Sequence, residues 1–144
     1  MEDDQYHSLT EKVIGLAMKV HRTLGPGFLE TVYRNALAFE LRRAGFTVDL
    51  EKHITVRYED VIVGDFVADL VVNDTLICEL KAISILTKSH EVQVVNYLTA
   101  TSQDVGLLLN FGATSLQFKR KYRRAILSAE SVDLNNPVNL VNPV

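Results

Sequence analysis

The chain has 144 residues, of which 47% are apolar and 23% charged, and its net charge is −3. That length suits one domain with a sizeable core, and the balance is globular rather than disordered. It excludes a uniformly basic protein that coats nucleic acid, and no apolar run approaches the ~18 residues of a membrane span.

The opening, "MEDDQ", lacks the basic head of a secretory signal, and a lone cysteine, Cys78, cannot form an internal disulfide. Both features point to a reducing, cytoplasmic setting. There is no internal repeat and no low-complexity block.

"SLTE" (8–11) reads as a capping box that starts a helix, with Val13, Ile14, Leu16, Ala17 and Val20 as its apolar face. "LGPG" (24–27) breaks it, because Gly25 tolerates a positive φ and Pro26 cannot continue a helix. A second helix is expected over 28–44, with Gly45 as its C′ residue. On a helical wheel begun at Phe28, Glu30 falls inside the apolar arc, between Leu37 and Leu41. A carboxylate on a buried edge needs a partner, although a first-turn glutamate is also favoured by the helix dipole. Glu40 lies deeper in the same arc and calls for a structural partner.

Three strands follow: "HITVRY" (53–58), "VIVGDFVADLVV" (61–72) and "TLICELKA" (75–82). Alternation places Phe66, Ala68, Leu70 and Val72 on one apolar face of the second, with Asp65, Val67, Asp69 and Val71 on the other. On the third, Leu76, Cys78, Leu80 and Ala82 are core, while Ile77, Glu79 and Lys81 share the opposite face. Matching the apolar faces requires Val72 opposite Leu76 across a three-residue turn, Asn73-Asp74-Thr75. That register sets Asp69 opposite Glu79, with Cβ atoms roughly 4.5–5.5 Å apart. Two carboxylates that close in a partly dry site take up a proton or share a cation. Hard divalent ions favour such oxygen ligands, and Lys81 adds an amine that suits phosphodiester hydrolysis. The plainer alternative for Glu79 and Lys81 is a surface ion pair.

A third helix is expected over 88–101, with His90, Gln93 and Tyr97 on one polar stripe that is either a binding face or simply an exposed one. "VGLLLNF" (105–111) reads as a strand buried on both faces, and its separation from the previous strand allows a helical crossover to a parallel neighbour. "LQFKRKYRR" (116–124) reads as a last strand. Its Lys119, Arg120, Lys121 and Arg123 either contact phosphates or guard a sheet edge against aggregation. From Ser128 the chain has little periodicity, so residues 1–127 are expected to form the domain and 128–144 a flexible tail. The order ααβββαβ(β) implies an α/β fold: a mixed sheet with helices on both faces.

Gly27-x-x-Glu30-x-x-Tyr33, within "HRTLGPGFLETVYRNAL", together with "ADLVVNDTLICELKA", "HEVQVVNYL" and "GLLLNFG", resembles the GxxExxY proteins, a branch of the PD-(D/E)XK nuclease superfamily. The likeness spans roughly residues 8–125. It implies a restriction-endonuclease-like αβββαβ core preceded by an extra helix. It further implies a Mg²⁺- or Mn²⁺-dependent nuclease acting on DNA or RNA. Asp69 matches the motif aspartate, though Ala68 stands where the superfamily's nominal proline would be, and Glu79 and Lys81 match the E-x-K. Glu30 matches the first-helix glutamate, and Gln93 and Tyr97 match the Q-x-x-x-Y element of the RecB-like branch. The implied metal ligands are Asp69, Glu79, the Leu80 carbonyl and Glu30. The implied catalytic set adds Lys81, Gln93 and Tyr97; His90 and the basic run are further candidates for contacting substrate from their own positions and chemistry, outside what the resemblance implies. The alternative is a catalytically silent nuclease-fold domain that acts through a protein partner or as a homodimer.

Overall fold

The computed structural model describes residues 2–123. Arg124 of the basic run and the expected tail over 128–144 lie outside the described residues.

Helix α1 (Glu2–Leu24) begins well before Ser8, so Ser8 and Glu11 are exposed interior positions and not a capping box. Tyr6 and Leu9 extend the stripe of Val13, Ala17 and Val20 onto the core, and this continued periodicity carries the helix upstream. Helix α2 (Glu30–Arg43) starts after an extended Leu29 (φ −71°, ψ 156°). It ends as the sequence implied. Gly45 takes φ 97°, its N–H donates to the Arg42 carbonyl, and Phe46 N–H donates to the Leu41 carbonyl, a Schellman closure.

The strands are β1 (Val48–Tyr58), β2 (Val61–Val72), β3 (Leu76–Lys81), β4 (Val105–Asn110) and β5 (Gln117–Tyr122), with helix α3 (Lys88–Thr101) between β3 and β4. The sheet order is β1-β2-β3-β4-β5. Every pairing is antiparallel except β3 with β4, which the α3 crossover makes parallel. Helices α1 and α2 bury Val13, Ala17, Tyr33, Leu37 and Leu41 against Leu70, Leu76, Cys78, Leu80, Leu107 and Leu109. Helix α3 covers the other face with Val94 and Leu98 over Ala68, Val71, Ile77 and Leu108. Each fully buried leucine contributes roughly 1.5–3 kcal/mol.

One face assignment is overturned. Phe66 stacks on Tyr97 of α3, with ring centroids 3.6 Å apart, and Ala68 joins the α3 cluster, whereas Leu70 and Val72 point to α1 and α2. Alternation therefore breaks between Ala68 and Leu70, at Asp69. The partner strand is irregular at the same level: Leu50 pairs with Leu70 and Lys52 with Ala68, while the intervening Glu51 takes φ 51°. A left-handed residue in a ladder turns its neighbours out of the regular pleat.

Candidate functional site

The β2–β3 turn sets the register from which the site is built. Val72 pairs with Leu76, Val71 with Ile77 and Leu70 with Cys78, through the three-residue loop Asn73-Asp74-Thr75. Asn73 and Asp74 both take positive φ, 52° and 57°, which these residue types tolerate better than most. Continued one step, the register brings Asp69 level with Glu79. Two hydrogen bonds tie the strands there: Asp69 N–H donates to Glu79 Oε1 at 3.3 Å, and Leu80 N–H donates to Asp69 Oδ2 at 2.8 Å.

Glu79 is only 6% exposed. Burial, then the adjacent Asp69 carboxylate by charge and by a side-chain hydrogen bond, pushes its pKa up to about 9. The Asp69 N–H and the Lys81 ammonium pull the other way, more weakly. At neutral pH the isolated pair therefore keeps a proton on Glu79. Cys78, on the opposite face of β3, has its thiol pushed well up by full burial and is an inert core residue.

Lys81 is half-buried at the carboxyl end of β3, level with Asn110 of the parallel neighbour β4. Tyr97 leans over the acids from α3: burial, then the charges of Glu79 and Asp69, raise its pKa. Gln93 lies one turn earlier on α3 and is exposed. His90 has a local job, since its Nδ1 accepts the Thr87 N–H at 3.1 Å in the capping box that starts α3.

Asn110 supports this end of the sheet, and the sequence reading had not singled it out. It is fully buried, yet its amide is satisfied on every side. Oδ1 accepts the Ile83 and Gly112 N–H groups, and Nδ2 donates to the Ile83 carbonyl and to Gln117 Oε1. Gly112 packs so closely on this exit that an added Cβ would lie 2.3 Å from the Ile83 backbone. The signal was present as an asparagine ending an apolar run, "GLLLNFG".

The expected place of Glu30 on a buried edge is corrected. Helix α2 begins at Glu30, so Phe28 and Leu29 precede the helix and are 48% and 76% exposed, and Glu30 is exposed with them. Its companions in Gly-x-x-Glu-x-x-Tyr have structural work. Gly27 takes φ 116°, and the fully buried Tyr33 stacks on Phe111 while its hydroxyl donates to the Gly25 carbonyl and accepts the Phe28 N–H. Glu40 has the structural partners its position demanded, Lys19 at 3.0 Å and Arg43 at 2.6 Å.

Three of the four basic candidates on and after β5 are engaged within the fold. Arg120 bonds Thr10, Lys121 pairs with Glu91 at 3.1 Å, and Arg123 pairs with Asp104 at 2.9 Å. Lys119 is exposed, and β5 is an edge strand.

Among the described residues no group of three or more His, Cys, Asp or Glu side chains is gathered to hold a metal, so Glu30 is not brought to Asp69 and Glu79. The donors that do meet are two carboxylates, of which Glu79 has its pKa pushed up by burial and then by its neighbour Asp69. That set fits a hard divalent cation, which commonly takes one or two carboxylates together with substrate phosphate. Also among the described residues, no helix is long and apolar enough to cross a membrane.

The model of the PD-(D/E)XK nuclease superfamily matches residues 7–125. The mixed five-stranded sheet flanked by three helices is consistent with the restriction-endonuclease-like fold of that superfamily. Neither a curated protein nor a solved structure matches.

Proposed function

The chain belongs to the PD-(D/E)XK nuclease superfamily, and from that membership we propose that it is a divalent-metal-dependent nuclease hydrolysing phosphodiester bonds in nucleic acid. The observation that carries the reading is the paired Asp69 and Glu79, locked across β2 and β3 with Lys81 two residues beyond on the same strand. The narrower likeness to the GxxExxY proteins rests on Gly27, Glu30 and Tyr33.

Asp69, Glu79 and the Leu80 carbonyl would hold Mg²⁺ or Mn²⁺. The ion would supply Lewis-acid polarisation of the scissile phosphate. Lys81 places its ammonium beside the acids, where it orients the attacking water and offsets charge developing on the phosphoryl oxygens. Tyr97 borders the pair and positions the phosphate being cut, with Gln93 a turn away on the same helix. The buried Cys78 thiol suits a reducing cytoplasm as the place of action. A catalytically silent domain that acts through a partner or as a homodimer is the second reading. Glu30, standing apart from the acid pair, is the observation that favours it.

Calorimetric titration of the full chain with Mg²⁺ and Mn²⁺ tests the first reading. Binding is expected in the parent protein and is expected to be lost in Asp69→Asn and Glu79→Gln. Cleavage assays on single-stranded, duplex and branched DNA and on RNA should show activity that Lys81→Ala abolishes. Absence of binding at millimolar ion, or activity indifferent to Lys81→Ala, overturns it.

A further inference from the structure

We propose that the groove between the β1–β2 hairpin and helix α3 is the track of a single-stranded nucleic acid, with an unpaired base stacked on the Phe66–Tyr97 pair and a phosphate held by Arg57. The proposal deepens the nuclease reading and rests on it for the assignment of the acid pair as the place where the strand is cut.

The groove has a volume of about 680 Å³, and its lining combines Arg57 and Phe66 of the hairpin with Tyr97 of α3 and the polar Thr55, Asn96 and Thr99. None of its lining residues is acidic, although the chain as a whole carries a net charge of −3. Arg57 is exposed, and among the described residues it joins none of the ion pairs, unlike Lys121 and Arg123. An accessible guanidinium without a carboxylate partner is suited to a phosphate. Tyr97 belongs to both places, since it lines the groove and feels the charges of Glu79 and Asp69. Tyr97 is thus the one lining residue that links the groove to the surroundings of the acid pair.

The aromatic pair decides which form of nucleic acid fits. Phe66 and Tyr97 lie face to face, 10° from parallel and both half-buried. Extending that stack needs a base with a free face. Bases within a duplex have both faces covered by their neighbours, whereas single strands offer theirs to protein aromatics. The hairpin supplies this surface because β1 and β2 run on beyond the short β3, and a register shift between Val56 and Arg57 twists their outer part.

The test is fluorescence anisotropy of the full chain in EDTA with labelled single-stranded DNA, single-stranded RNA and duplex DNA, so that binding is read without cleavage. Arg57→Gln is expected to weaken single-strand binding about three- to tenfold and to lower the log K against log salt slope by about 0.7, one phosphate. Thr99→Glu, which sets a carboxylate in the groove at an exposed position, is expected to weaken it by a similar factor. Phe66→Leu removes the stacking face and is expected to cost about fivefold or more; its melting curve, and the two surface variants, keep the result readable if its fold is loosened. The DNA and RNA arms identify which strand is preferred. Single-strand affinity unchanged in both Arg57→Gln and Thr99→Glu overturns the groove, as does duplex binding as tight and as sensitive to the same changes. The two readings fail separately. Cleavage lost in Lys81→Ala with groove variants silent keeps the nuclease and removes the groove. Groove-dependent binding without any cleavage does the reverse.

Discussion

Asp69 donates its backbone N–H to the side chain of Glu79 at the level where the β2–β3 ladder gives out, and sets a half-buried carboxyl group beside the buried one of Glu79. This contact has a pH signature. The folded pKa of Glu79, about 9, lies above its ordinary value of 4.5, so folding takes up a proton. Stability from this group is fully present below the ordinary value and is lost as pH rises through the folded one. The metal-free protein is expected to lose stability between roughly pH 5 and 9, with a limiting slope of about 1.4 kcal/mol per pH unit. Urea melts in EDTA across that range measure it. Glu79→Gln, neutral at every pH, is expected to flatten the slope. Added Mg²⁺ should raise the melting temperature more at pH 8 than at pH 6, because the ion replaces the proton.

Glu30 should be nearly silent in metal binding. It is exposed at the start of α2 and outside any acidic cluster among the described residues. An exposed charge at a distance is worth up to about 1 kcal/mol, or about fivefold in affinity. Calorimetry of Glu30→Gln without nucleic acid is therefore expected to give a Mg²⁺ affinity within about fivefold of the parent. Asp69→Asn should abolish the heat. A loss in Glu30→Gln as deep as that in Asp69→Asn would show that the glutamate reaches the ion after all.

What could be read in advance divides along physical lines. The span of α3 and the loop Asn73-Asp74-Thr75 were legible because local chemistry specifies them: residues that tolerate positive φ, and apolar faces that must coincide. The face of Phe66 was not, because alternation assumes a regular pleat and Glu51 interrupts it with φ 51°. The burial of Glu30 was misread for a related reason. A helical wheel begun at Phe28 assumes helix from that residue, whereas Leu29 is extended and the first turn overhangs the core. The partners of Glu40 on α1 and the engagement of Arg120 with Thr10 depend on tertiary placement, which no window of sequence contains.

The tyrosine of Gly-x-x-Glu-x-x-Tyr is expected to matter for stability and not for chemistry. Tyr33→Phe keeps the ring on Phe111 but leaves the Gly25 carbonyl and the Phe28 N–H without the hydroxyl that ties them. The loss should be about 1–3 kcal/mol, read by urea denaturation. Nuclease activity per folded molecule is expected to stay within about twofold, since the clamp sits on the α1–α2 face of the sheet and the acids face α3.

The tightest constraint on Lys81 comes from the residues behind it. Asn110 occupies the last position of β4, level with Lys81, and its amide ties Ile83, just past the lysine, to Gly112 and Gln117. Asn110→Ala would take from the half-buried Ile83 the partners of both its N–H and its carbonyl, at up to about 1–3 kcal/mol for each group. Gly112→Ala should be worse, because a Cβ 2.3 Å from the Ile83 backbone has no flexible side chain to push aside and must displace the strand exit itself. Both variants are expected to lower the melting temperature. Gly112→Ala is also expected to reduce the cleavage rate of the folded fraction, because the exit carries Lys81 with it. Asn110→Asp gives a sharper reading. It keeps the acceptor for Ile83 N–H but turns the donor to Ile83 O and Gln117 into a second acceptor, so its cost should fall as pH drops and the new carboxyl protonates. A melting temperature of Asn110→Asp that did not recover toward the parent's at low pH would show that the amide hydrogen bonds do not hold this exit in place.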